Sequence, residues 1–196
     1  MRTTTIFCCL LSLALFALRC DPNDSEPATQ DFSCIKIFDA NGTGLGLHGG
    51  CTSSADWGDI PLNANESGLL DFSDTVGLAG TAAASVAFIA AFPNPVVRGD
   101  ALYLSVRGDV TGQPVKIELA IADESLSVIS QFALRTTVNG SFALQMDAAK
   151  FQSGQYYRLY YRVSAEGNAS LFEGYGNILV CKTYISGGNT IEADCM

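Results

Sequence analysis

An all-β fold, an antiparallel β-sandwich of about seven strands behind an irregular N-terminal covering segment, follows from three observations. First, short runs of alternating or apolar residues recur from residue 81 onward, separated by turn signals at Arg98-Gly99-Asp100, Gly108-Asp109, Asp123-Glu124, Asn139-Gly140 and Glu166-Gly167-Asn168. Second, 19 glycines and a scarcity of helical periodicity favour strands over helices. Third, the hydrophobic fraction of 48% is enough for a packed core in a chain of 196 residues. The count and spacing of the runs are those of an immunoglobulin- or fibronectin-like sandwich.

The strand runs, in order, are 82–92, 101–106, 115–122, 125–134, 141–146, 156–164 and 170–181. Two of them organise the rest. Tyr156, Arg158, Tyr160 and Arg162 alternate with Tyr157, Leu159, Tyr161 and Val163, the period of a strand with two different faces. The first set is expected on the outer face, where tyrosine and arginine suit a protein or glycan partner or simply cover the sheet. The second set is expected in the core.

Upstream, residues 32–38 (FSCIKIF) read as a strand, Asn41-Gly42 as a hairpin turn and 45–47 as the return. Asp39, Asn41, Thr43 and Gly44 match the first, third, fifth and sixth positions of an EF-hand loop. Gly50 stands where that loop needs its glutamate, so a turn is expected and no metal. His48, the only histidine, is expected exposed in a loop. Trp57, Leu62, Leu69, Leu70 and Phe72 are expected as core or cover, with a helical turn over 66–72.

Residues 1–20 lie outside the fold. Arg2 and the apolar run 6–18 make a secretory signal, too short to span a bilayer as a helix. Cys20 closes that signal and is followed by an acidic tract, DPNDSEPATQD. This arrangement resembles the lipobox of bacterial lipoproteins. The resemblance implies cleavage before Cys20, a diacylglycerol on its sulfur, and a membrane partner reached through the lipid. The divisions expected are 1–19 signal peptide, 20–31 acidic tether, 32–80 hairpin and wrapping segment, and 81–196 sandwich.

Cys34, Cys51, Cys181 and Cys195 remain, an even number in an exported chain, which suggests two disulfides. Three pairings are possible. Cys34–Cys51 with Cys181–Cys195 is the expected one because each closes a short Gly-rich loop, and a bridge from the N-terminal segment to the last strand stays open.

Phe92-Pro93-Asn94-Pro95-Val96, the strand 101–106, then Phe142-Ala143-Leu144 and Phe151…Gly154-Gln155-Tyr156-Tyr157 resemble the C-terminal sorting domain of type IX secretion cargo. They are similar, too, to the immunoglobulin-like module of flagellar hook-capping proteins. The likeness spans roughly residues 86–180 and implies a sandwich fold. The chain continues past it, so the sandwich is read as the protein's own body.

Chemistry is sparse. One histidine without a nucleophile-elbow motif argues against a hydrolase triad. A pI of about 4.4 and a formal charge of −9 argue against nucleic acid. No cofactor motif occurs. The four Asn-x-Ser/Thr triplets, at Asn41, Asn65, Asn139 and Asn168, read as turns. Asp71/Asp74 and Asp123/Glu124 are the carboxylate pairs available to a glycosidase-like reaction. The expectation is a lipid-anchored, non-catalytic binding or structural module of a Gram-negative outer membrane, facing periplasm or surface. The alternatives are a carboxylate-dependent hydrolase or carbohydrate-active protein, type IX cargo, and a passive spacer.

Overall fold

A computed structural model of the chain describes residues 31–49, 56–78, 85–109, 111–187 and 190–195. The signal, Cys20, the tether and Cys51 lie outside them. The described chain is all-β apart from one helical turn. Its first hairpin pairs β1 (Ile35–Phe38) with β2 (Gly44–His48). A three-stranded sheet has the order β3 (Phe88–Phe92), β5 (Ala101–Arg107), β8 (Ser141–Gln145). A five-stranded sheet has the order β4 (Val96–Val97), β10 (Asn168–Cys181), β9 (Tyr156–Ala165), β6 (Pro114–Ala122), β7 (Val128–Thr137). All pairs in the two sheets are antiparallel except the short β4–β10 contact. Because β5 and β6 belong to different sheets and β9 returns between β6 and β10, the layout is the Greek-key order of an immunoglobulin-like sandwich.

Period-2 alternation builds the core between the sheets. Leu102, Leu104 and Val106 face Val115, Ile117, Leu119 and Ile121, with Tyr157, Leu159, Tyr161 and Val163 beside them. Each of the seven expected runs contains a strand. The run 125–134 starts later than expected, at Val128, because Asp123–Ser127 is consumed by a turn. Two features were not anticipated: the two-residue β4, and a terminal hairpin of β11 (Thr183–Gly187) and β12 (Thr190–Asp194). The Cys181–Cys195 disulfide ties that hairpin to the end of β10, the neighbour pairing expected. Cys34 is disulfide-bonded as well; Cys51, its expected partner, lies outside the described residues.

Residues 31–78 do more than wrap. Trp57 donates its backbone N–H to Tyr175 O of β10 at 2.8 Å, and its carbonyl accepts from Ile89 N of β3 at 3.2 Å. One residue thus bridges the two sheets and seals the sandwich on that side. Its ring, 2% exposed, stacks 6.4 Å from Tyr161, which in turn stacks 5.9 Å from Phe172. The Tyr161 hydroxyl donates to Gly58 O at 2.7 Å. Phe38 enters the same core. Asn94, between the cis bonds Phe92-Pro93 and Asn94-Pro95, is fully buried. Its side-chain amide donates to Lys36 O and Asn177 O, both at 2.9 Å, and its Oδ1 accepts from Leu179 N, so β1 and β10 are knitted through one side chain.

The expected helical turn is α1 (Ala64–Gly68), two residues earlier than the apolar pattern indicates. Asn63 and Glu66 fix its start as a capping box: Asn63 Oδ1 accepts from Glu66 N at 3.1 Å, and Glu66 Oε2 accepts from Asn63 N at 2.9 Å.

Candidate functional site

The ladder on β9 alternates as expected, and its inward half lies in the core. Its outward half is not open to solvent. Arg158 is 6% exposed and Tyr160 is fully buried, because residues 31–35 and 62–71 of the covering segment lie on this face. The Arg158 guanidinium sits between the rings of Phe32 and Tyr175, 4.1 and 4.0 Å from their centroids. Its Nε donates to Asn177 Oδ1 at 2.7 Å, its Nη2 to Asp31 O at 3.2 Å, and Glu66 Oε1 is 3.8 Å from Nη1. Tyr160 packs under Leu70, Leu62, Leu69 and Leu126, and burial pushes its phenol up to about 12. Arg162 donates to Ser67 Oγ at 2.7 Å and to Asp71 Oδ1 at 3.0 Å. Tyr156 is half-buried beside Ile35, Leu179 and Cys181. Of the four residues singled out as a binding face, Arg158, Tyr160 and Arg162 hold the protein's own N-terminal segment, while Tyr156 packs beside Ile35 and also borders the end cleft. The sign was available upstream: Glu66 and Asp71 are the acids that two outward arginines on a sheet would need as partners.

Three of the four carboxylates are engaged locally, and Glu124 is exposed in the β6–β7 turn. Asp71 pairs with Arg162; Asp74 pairs with Lys116 at 2.7 Å, and that hydrogen bond holds its carboxyl below the usual aspartate range. Asp123 closes the β6–β7 turn, with Oδ1 accepting from Ser125 N at 2.9 Å and Ser127 N at 3.0 Å. Burial alone would raise Asp123, but the bonds from Ser125 and Ser127 outweigh it and its carboxyl lies lower than usual. A glycosidase acid needs the opposite shift. Asp39 is spent in the same way, accepting from Thr43 N at 2.8 Å and Asn41 N at 2.9 Å, and no group of metal-ligating side chains occurs among the described residues. His48 is exposed, as expected, but stands in β2 opposite Ile35 rather than in a loop.

One open concavity is at the end of the sandwich, and a second borders Lys116, Glu118 and Arg162. At the end of the sandwich, the β6–β7 turn supplies Asp123, Glu124 and Ser125, and the β8–β9 connection supplies Lys150, Gln152 and Gln155. With Ile129, Tyr156 and Tyr157 they line a cleft of about 360 Å³, within the range of small-ligand sites. Its walls are positioned from below. Phe151 is a buried plug packed edge-on to Tyr157 at 5.2 Å, and Tyr157 Oη accepts from Gln152 N at 3.0 Å. Gly154, at φ 80°, turns the chain into β9 and donates to Val180 O. Lys150, Gln152 and Gln155 had not been singled out as site residues. They meet Asp123 and Glu124 only because β9 returns beside β6.

No family model matches the chain, and no curated protein matches it. Among solved structures, two crystal structures of a glycosyl hydrolase family 2 member from Bacteroides cellulosilyticus are similar to it, both at a TM-score of 0.35. Identity is 19% and 18%, over 52% of this chain and 16% and 15% of theirs. The chain thus spans less than a fifth of the solved chains it matches. A likeness of that size carries no functional weight.

Proposed function

We propose that this protein is a lipid-anchored module of a bacterial envelope that binds a small polyhydroxylated ligand, a glycan segment, without transforming it. The observation that carries the reading is the end cleft. Two carboxylates, a lysine, two carboxamides, a serine and two tyrosines offer mixed donors and acceptors beside aromatic rings, the pattern a neutral sugar requires. Acidic groups in the cleft and a formal charge of −9 weigh against an anionic ligand. Asp123, held ionised and tied to its turn, is poorly placed to donate a proton, which supports binding over hydrolysis. The anchor rests on Cys20 and its lipobox-like setting, each buried methylene of an acyl chain contributing about 0.8 kcal/mol.

The test is titration of envelope-derived oligosaccharides against wild type and a Lys150→Ala/Gln152→Ala variant, followed by calorimetry and by product analysis. Saturable binding that weakens at least tenfold in the variant, with the sugar recovered intact, is the expected result. No binding across the panel, binding indifferent to the variant, or release of cleaved sugar would each contradict the reading. The anchor is checked by mass and membrane partition. Acyl chains on wild type and a soluble Cys20→Ser variant are expected, and a soluble, unacylated wild type would remove it.

A further inference from the structure

We propose that β7 is a homodimerisation edge, pairing antiparallel with β7 of a second copy about a two-fold axis through Ala133. An edge strand presents a row of unpaired backbone groups, and natural sheets blunt such edges with short strands, prolines, bulges or charges. The other edges here follow that rule. Strands β3 and β8 have five residues each, and β4 has two and follows Pro95. At ten residues, VISQFALRTT, β7 is long, contains no proline and carries Arg135 as its one charge; its one register irregularity is confined to its start, opposite Ile121 and Ala122. Among the described residues it pairs with β6 alone. The core is also thin along this edge. Phe132 and Leu134 lie opposite the fully buried Leu119 and Ile117 yet are themselves only half-buried, as is Phe142 of β8, and Val128 is 41% exposed. The large sheet extends past the small one here, leaving an apolar rim.

The occupant is a second copy because the strand complements itself in one register. The inward residues of β7 are Ser130, Phe132, Leu134 and Thr136, which pair with Ile121, Leu119, Ile117 and Val115; Gln131, Ala133 and Arg135 face outward. A two-fold axis normal to the sheet preserves faces, so only residues of like orientation can oppose. Centred on Ala133, Phe132 meets Leu134 of the second copy, Ser130 meets Thr136, and Gln131 meets Arg135. Centring on Phe132 would set Ser130 against Leu134, and centring on Leu134 would set Phe132 against Thr136. Of these three registers, the one centred on Ala133 matches apolar with apolar and hydroxyl with hydroxyl while pairing most of the strand's length, and it keeps the two arginines apart. It joins two five-stranded sheets into one and covers both rims.

The experiment is sedimentation equilibrium of the full mature chain, wild type beside Ala133→Lys, with circular dichroism to confirm the fold. Wild type at twice the monomer mass and an Ala133→Lys dissociation constant at least tenfold higher are expected, since the two lysines would face each other across the axis. Ala133→Cys supplies the second arm. Under mild oxidation it alone should cross-link to itself, because only the axial residue lies within disulfide reach of its own copy, and Gln131→Cys should not. A monomeric wild type, a dimer indifferent to Ala133→Lys, or cross-linking through Gln131→Cys in preference to Ala133→Cys would overturn the proposal. A strand donated by a different protein would leave the wild type monomeric and so fails the same test.

Discussion

Trp57→Ala is expected to lower the free energy of unfolding by about 3–5 kcal/mol, among the largest losses available to a single side chain here. The ring is 2% exposed, stacks on Tyr161 and lies against the bare backbone of β10 at Gly176. A Cβ added at Gly176 would come within 2.1 Å of Trp57 Cε2 and 2.2 Å of Cδ2. An indole cannot yield by that distance when its own backbone bonds fix it to β10 and β3. Gly176→Ala should therefore destabilise by about 3 kcal/mol through overpacking. The two changes share one contact, so they should not add: in a Trp57→Ala background Gly176→Ala should be nearly neutral. Urea denaturation of the four chains measures the coupling. Additive losses would mean that Trp57 does not occupy the place described.

Arg158→Ala is expected to cost about 3–5 kcal/mol as well, by a different route. The guanidinium is the cation about which Phe32, Tyr175, Asn177, the Asp31 carbonyl and Glu66 are arranged. Its removal leaves a carboxylate that is 5% exposed without that cation, and an amide oxygen and a carbonyl without their donor. Arg158→Lys should lose most of the same energy, because a lysine cannot lie flat between two rings or donate in three directions from one plane. The loss should be local first: the segment 31–78 becomes sensitive to protease while the sandwich strands remain folded. Limited proteolysis with mass analysis reads this directly, and equal resistance of variant and wild type would refute the clamp.

Much of this molecule was legible before its structure. The alternation of Tyr157, Leu159, Tyr161 and Val163 placed them inward, the turn residues between the runs placed the strands, and the covering role of the upstream segment followed from its apolar residues. What period-2 reasoning cannot tell is what lies on the other face of a strand. Asp31 O and Arg158 are 127 positions apart, so the side chains that cover the ladder belong to a part of the chain with no local signal of that contact. The end cleft was illegible for a related reason: Asp123 and Lys150 are brought together by strand order, a property of the whole topology. β4 went unseen because two residues carry no periodicity.

The central claim is that Arg158 and Tyr160, the middle of the outer face of β9, are covered by the protein's own chain, so that a ligand is taken at the end cleft that Tyr156 borders. Hydroxyl-radical footprinting of the intact protein tests this residue by residue. Tyr160, fully buried under Leu70, should react as slowly as Tyr161 in the core, while Tyr103, 45% exposed on β5, reacts at the rate of an open side chain. Tyr160 reacting as fast as Tyr103 would show an open ladder and return the binding face to Tyr156, Arg158, Tyr160 and Arg162.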